Sequence, residues 1–391
     1  MANTSCSEKA RALLDDLLAG RAVPDASIDE LRACPSEFFG IVVEGLADRF
    51  EPRLCEAYVD LFIRAYTHDA EERTRLRERY AQVRVPAAVT QDPTDVVVLS
   101  RVTLGADVVI TSRFLDAAKK RFPAARIHLA GSRKAWELFQ ADPRIAHLPV
   151  AYPRTGAFEE RLAPWRALQV PEHALVLDPD SRITQLGVLP LGGDYRFFES
   201  RAYGGDSDAT LGELTERWLT AVLGVDAKPY VALPAPPFDS PRPLVSISLG
   251  VGENAAKRAG GGFERGLIDA LMERGANIAI DKGAGGEEAE RVLQAVEGYD
   301  VRIWDGAFAP FASVIASSDL YIGYDSAGQH VASVCGVPLV TVFAGYPCRR
   351  MFERWKPAGS GPIEIVRVEP EQDWKDTLQC AVDAIDRLAI L

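Results

Sequence analysis

Through residues 1–85 the apolar positions recur at three- and four-residue spacing. Ala10, Leu13, Leu14, Leu17 and Leu18 share one face over Ala10–Leu18, the pattern of a helix that buries a single stripe. The same spacing predicts helices within Ile28–Ala33, Phe38–Phe50, Leu54–Tyr66 and Ala70–Val83, punctuated by Pro24, Pro35, Pro52 and Pro86. This region, 1–88, reads as an all-helical extension without a catalytic constellation, suited to docking or to homo-oligomer formation.

From Asp95 the pattern changes to short apolar runs alternating with amphipathic stretches. Strands are expected at Val96–Leu99, Ile127–Ala130, His147–Pro149 and Leu175–Leu177, and helices at Val108–Phe122, Lys134–Gln140 and Leu211–Leu223, with a further helix opening at Asp178–Arg182. The proline-rich stretch Pro229–Pro243 interrupts this order as a linker. Alternation then resumes with strands Leu244–Leu249, Asn277–Ile280, Val301–Ile303, Leu320–Gly323 and Leu339–Phe343. Helices Phe263–Arg274, Glu287–Val296, Pro310–Ser317, one carrying His330, and Trp374–Leu391 lie between and after them. Such alternation specifies parallel sheets covered by helices on both faces. The fold class is therefore α/β: two Rossmann-like doubly wound domains, 89–238 and 239–391, behind the helical extension. Facing carboxyl edges of two such sheets make a cleft, the usual place for a ligand.

Composition narrows the partners. The 391 residues carry a net charge of −12, which argues against a general nucleic-acid binder, since those need a basic footprint. The six cysteines are scattered with no C-x-x-C pair, so they are expected as reduced thiols in a cytoplasmic protein, with no metal site. No run approaches the roughly 18 apolar residues of a spanning helix. Peripheral membrane contact stays open.

Four stretches place polar residues directly after a strand. Ser100–Asp107 precedes a helix, and Asp107 stands where a carboxylate caps helices for purely structural reasons. The glycine-rich loop 250–262 contains Asn254, Lys257 and Arg258, charge suited to phosphate oxygens, though without the G-K-[ST] of a P-loop. Lys282–Glu288 places Glu287 at a helix start, where a carboxylate can accept from ribose hydroxyls. Finally Asp325-Ser326-Ala327-Gly328 separates a buried strand from the helix of His330. The free N–H groups of that helix make an anion site.

In this order the stretches resemble glycosyltransferase family 9, the ADP-heptose:lipopolysaccharide heptosyltransferases of GT-B fold. The resemblance runs over Asp95–Leu391 and rests on RVTLGADVVITSRFLDAAKKRFPAARIHL, ENAAKRAGGGFERGLIDALMERGANIAI, GAGGEEAERV and YDSAGQHVASVCGVPLVTVFAG. It implies an inverting transfer, without metal or cofactor, of a heptose-like sugar from an ADP-sugar to an acceptor hydroxyl. Asp107 would be the general base and Lys257 the lysine on the diphosphate. Asn254, Arg258, Glu287, Gly306, Asp325, Ser326, Ala327, Gly328 and His330 would line the donor site, with Trp304–Phe308 at the nucleobase. Arg101 and Arg182 would face the acceptor. Arg154, Arg161, Arg166 and Arg201 are further candidates for an anionic acceptor. The sequence departs from the family pattern at Ala106 and Ala327, where glycines are usual, and at Ala259 in place of a tryptophan. A nucleotide-sugar-binding protein without transfer is the alternative. A dinucleotide enzyme is disfavoured because no G-x-G-x-x-G follows the first strand. The acceptor, whether glycan, lipid-linked molecule or protein, leaves no mark in the residues.

Overall fold

The computed structural model describes residues 5–153, 155–252 and 254–391. Two all-parallel sheets form its frame. The first has the order β3-β2-β1-β4-β5, from β1 (Asp95–Leu99), β2 (Arg126–Gly131), β3 (Ile145–Pro149), β4 (Leu175–Asp178) and β5 (Asp194–Phe197). The second runs β11-β10-β9-β6-β7-β8, from β6 (Leu244–Ser248), β7 (Asn277–Asp281), β8 (Arg302–Trp304), β9 (Leu320–Tyr324), β10 (Leu339–Phe343) and β11 (Ile363–Arg367). The doubly wound expectation therefore holds for both halves.

β1 shows why its residues make a central strand. Val96 and Val98 point to one face, against Phe114, Phe122 and Trp218. Val97 and Leu99 point to the other, with Ala130 and Val176. Side chains alternate across a strand, so a strand covered on both faces needs an unbroken apolar run. The core containing Val96 extends across the seam to Phe311, Tyr321, Val331 and Leu339 of the second domain.

The helical region is not a separate unit hung from the first domain. Phe38, Val42, Leu54, Tyr58 and Phe62 share one core with Phe158, Leu162, Leu186, Val188 and Phe197. Polar ties follow the same seam: Tyr58 Oη donates to Gln185 Oε1 at 2.5 Å, Arg79 Nε to the Gly187 carbonyl at 3.1 Å, and Tyr80 Oη to Glu199. The helices thus cover the carboxyl edge of the first sheet.

Several elements differ from expectation. Beyond Asp178 the chain makes no helix; it turns through Asp180 at φ 72, then Gln185 and Leu186, also left-handed. Buried hydrogen bonds from Ser181, Thr184 and Tyr195 to Asp178 hold that turn against its strain. Strands β5 and β11 and helices Phe158–Ala167 and Arg349–Trp355 are additional. Cys6 and Cys34, expected as thiols, are joined in a disulfide with Cα atoms 6.1 Å apart, because the first helix starts beside the segment leading into Pro35. Among the described residues no helix is long and apolar enough to cross a membrane.

Candidate active site

The carboxyl edges of the two sheets face each other, and each site residue is set by the loop that leaves its strand. On the second domain, β9 ends at Tyr324 and Ser326 begins helix Ala327–Cys335 without a side-chain cap. Its first N–H groups therefore lack an intrahelical partner. Lys257, in the short turn Ala255–Lys257 of the loop after β6, reaches across to this point. Its Nζ lies 2.5 Å from Asp325 Oδ2 and 3.3 Å from the Asp325 carbonyl. Gln329 Nε2 donates to Asp325 Oδ1 and Thr341 Oγ1 to Gln329 Oε1, so the buried carboxylate is fixed from behind. The structure brings Lys257, Asp325, Ser326 and Ala327 together as the sequence suggested.

The neighbouring residues divide. Asn254 accepts from the Ala256 N–H at 3.1 Å and shapes the lysine turn. Arg258 turns away to the buried Glu264, which also holds Arg291 and accepts from Tyr324 Oη. Glu287 is exposed at the first turn of helix Gly286–Ala295. One residue further on, Glu288 points inward and accepts from the backbone N–H of Val251 at 3.1 Å and of Ala284 at 2.8 Å. Glu at the third position of a helix commonly reaches back to the preceding turn, as Glu288 does here. Gly306 lies exposed against the Trp304 indole, whose N–H donates to the Ala307 carbonyl.

Gly328 has a packing reason. A Cβ there would overlap Tyr321 Oη. The glycine thus makes room for a buried tyrosine, whose hydroxyl has no hydrogen-bond partner by strict geometry and lies beside Ser248 and Ser326. His330 is buried, with its ring 5.9 Å from Trp355. Desolvation holds its pKa down to about 4, so it is neutral near pH 7 and serves packing.

On the first domain, Asp107 occupies a different environment from the one expected of an exposed base. It is 0% exposed. Its oxygens accept from Ser100 Oγ at 2.8 Å, the Arg101 N–H at 2.8 Å and Thr111 Oγ1 at 2.7 Å. Burial raises its pKa to about 6 against these bonds. The helix widens into a π-turn over Asp107–Thr111, accommodating an extra residue and turning the carboxylate inward. Gly105, rather than the residue beside Asp107, faces the second domain: a Cβ there would lie 3.0 Å from His330 Cδ2 and 3.5 Å from Ala327 Cα. As it stands, Asp107 pins the β1 loop and presents no oxygen to the cleft.

The first domain's edge carries a buried ion cluster. Arg101 Nη1 lies 2.9 Å and Arg201 Nη1 2.5 Å from Asp180 Oδ2, and Ser200 Oγ donates to the same oxygen at 2.7 Å. Arg182 Nη2 pairs at 2.5 Å with Glu44 of the helical region. Of the other arginines proposed for an acceptor, Arg161 stacks on Phe39 and Arg166 pairs with Glu159 away from this point. Arg154 lies outside the described residues.

The turn after helix Glu44–Ala47 bridges to the second domain, and nothing in its own sequence marked it. The Asp48 and Arg49 carbonyls approach Cys348 Sγ, and the Phe50 carbonyl accepts from Arg350 Nη1 at 2.9 Å. Both partners belong to the second domain.

No protein-family model matches the sequence, and no curated protein matches it. Solved structures do share the fold. A glycosyl transferase family 9 protein from Veillonella parvula covers 77% of this chain and 99% of its own, at 14% identity and TM-score 0.55. The E. coli heptosyltransferase WaaC, solved with ADP, covers 74% and 99% at 17% identity and TM-score 0.54. E. coli ADP-heptose lps heptosyltransferase II covers 75% and 98%, also at 17% identity and TM-score 0.54. The chain therefore has the two-domain GT-B fold of these proteins.

Proposed function

We propose that this protein transfers a sugar from a nucleoside diphosphate sugar to an acceptor hydroxyl. The observation that carries the reading is Lys257 held at the uncapped start of helix Ala327–Cys335, at the carboxyl edge of one sheet and opposite that of another. A leaving diphosphate gains negative charge as the glycosidic bond breaks. A fixed ammonium and aligned N–H groups stabilise that charge without reorganising. The heptosyltransferases of the same fold, one of them solved with ADP, make an ADP-sugar the first donor to try. Asp325, Ser326 and Ala327 would border the diphosphate. Glu288, rather than Glu287, has the inward position for a ribose hydroxyl, and Trp304–Phe308 the nucleobase.

Arg101, Arg182 and Arg201 suit an anionic acceptor. Asp180 and Glu44 already neutralise part of their charge, which favours one negative group over a polyanion. No metal or cofactor is needed for the charge stabilisation described.

The test is titration with ADP-, GDP- and UDP-sugars by calorimetry, followed by measurement of nucleoside diphosphate release. Release from a bound donor is expected. Nucleotide binding without turnover on any donor would favour a binding protein of this fold. Binding of NAD with no binding of ADP would return the chain to dinucleotide chemistry.

A further inference from the structure

Away from the cleft, the two domains enclose a cavity of about 20 Å³. Arg113, Thr210 and Gly212 line it from the first domain, and Ser333, Arg354 and Trp355 from the second. Ser333 lies toward the far end of helix Ala327–Cys335, about 10 Å along its axis from Ser326, so the cavity is separate from the place proposed for the diphosphate. We propose that this cavity binds a small monovalent anion of halide size, with Arg113 and Arg354 as its counter-charges and Ser333 as a hydroxyl donor. Neither a sugar donor nor an acceptor is needed for this, so it stands apart from the transferase reading.

Charge is the first reason. Arginine keeps its proton in proteins, and a buried charge calls for a counter-charge. Arg354 is 1% exposed, and its Nη1 and Nη2 donate to the Ala209 carbonyl at 2.6 Å and the Gly205 carbonyl at 3.0 Å. Arg113 donates through Nη1 to the Val109 carbonyl of its own helical stretch. Carbonyls satisfy donors but carry no net charge, and among the described residues neither arginine forms an ion pair with a carboxylate. The carboxylates of the surrounding elements are engaged elsewhere. Glu213 accepts from Thr210 at the start of helix Leu211–Leu223, Glu216 pairs with Lys228, and Asp208 pairs with Arg349. Desolvation accordingly lowers the pKa of both arginines, that of Arg113 to about 10, which leaves them charged near pH 7.

Donors are left over as well. Arg113 Nε, Arg354 Nε and Ser333 Oγ are buried and have no hydrogen-bond partner. Two glycines leave the space these side chains use: a Cβ at Gly212 would lie 2.8 Å from Arg113 Nη2, and one at Gly359 2.7 Å from Ser333 Oγ. The cavity wall carries no carboxylate; Val109, Val334 and Trp355 give it apolar surface, and its remaining cation, Lys356, pairs with Glu353 at 2.7 Å. A cavity of this size takes one water or one monatomic ion. A neutral water would leave both guanidinium charges uncompensated, and an anion would not.

The experiment replaces sodium gluconate by sodium chloride at constant ionic strength, in wild type, Arg113→Gln, Ser333→Ala and Arg349→Gln. It follows thermal melting and, directly, the chloride NMR line width with bromide as competitor. The wild-type melting temperature is expected to rise saturably with chloride, because a ligand of the folded state stabilises it by mass action. The wild-type protein should also broaden the chloride line in a way that bromide competes away. Arg113→Gln should weaken chloride at least about tenfold, as loss of a charged donor does, and Ser333→Ala should weaken it less. Arg349→Gln, which alters an exposed ion pair of the same seam, should respond as wild type does. Equal melting in chloride and gluconate, with no competable line broadening in wild type, would overturn the proposal and leave the cavity to water. So would a chloride response unchanged in Arg113→Gln, or one lost equally in Arg349→Gln, which would put the effect on the surface. If Arg113→Gln does not fold, the wild-type competition and Ser333→Ala decide the question: chloride binding that bromide does not displace, or that Ser333→Ala leaves untouched, would overturn it.

Discussion

The two carboxyl edges that meet at the cleft are built in opposite ways. The first is closed: helices cover it, and Asp107, Asp178, Asp180, Arg101 and Arg201 are buried and bonded to one another or to nearby hydroxyls. The second is open: a short lysine turn, an uncapped helix and glycine-containing loops expose backbone N–H groups, with one ion pair, Lys257–Asp325, at their centre. A closed polar edge has its geometry fixed before any ligand arrives. An open one leaves donors for a ligand that brings its own negative charge. The difference matches the proposed division between acceptor and donor.

Removing Asp180 should break the closed edge most severely. Asp180→Ala leaves Arg101 and Arg201 buried without their shared partner and should cost about 3–5 kcal/mol, read by denaturant unfolding. On the open edge the same kind of loss should spare the fold. Lys257→Ala is expected to lower turnover on the order of 10²–10³-fold with a much smaller change in stability. A large stability loss there would erase the contrast between the edges.

The pH dependence of His330 tests the seam between them. Its pKa is held down to about 4, so it favours the folded state above the ordinary histidine value and loses that contribution as pH falls from about 6.5 toward 4. The buried carboxyls raised to about 6, Asp107 and Asp178, act in the opposite sense, losing stability as pH rises through that value. The difference between wild type and His330→Gln isolates the histidine. The stability gap between the two should shift by about 3 kcal/mol across that window, from about 1.4 kcal/mol per pKa unit. The smallest effect belongs to Gly328. Gly328→Ala should destabilise by about 1–3 kcal/mol through overlap with Tyr321, and Tyr321→Phe in the same chain should recover part of it. Full tolerance of the alanine would mean the tyrosine has room to move.

These elements also mark how far the chain could be read directly. Central strands such as β1 and β9 were legible because burial on both faces demands an unbroken apolar run. β5 (Asp-Tyr-Arg-Phe) was not, since Arg196 and Tyr195 make polar contacts beside the helical region. The helix expected from Asp178 fails because Asp178 ties its own turn through Ser181 and Thr184 while Asp180 pairs with Arg101 and Arg201. Lys257 and Asp325 could be found because each lies in a recognisable strand-to-helix turn. Glu287 stands on the exposed side of its helix turn, and the inward carboxylate is its neighbour Glu288. The turn through Asp48–Phe50 left no local trace, since its partners Cys348 and Arg350 lie near the other end of the chain and only folding brings them to it.

The apolar cluster that crosses the domain seam has a consequence for how the molecule comes apart. Phe114, Trp218, Phe311 and Val331 belong to one continuous core on both sides of the Pro229–Pro243 segment. Cutting that segment would not release two self-sufficient halves, because each would carry away an uncovered apolar face. Melting should accordingly be cooperative across the whole of residues 89–391, one calorimetric transition in place of two.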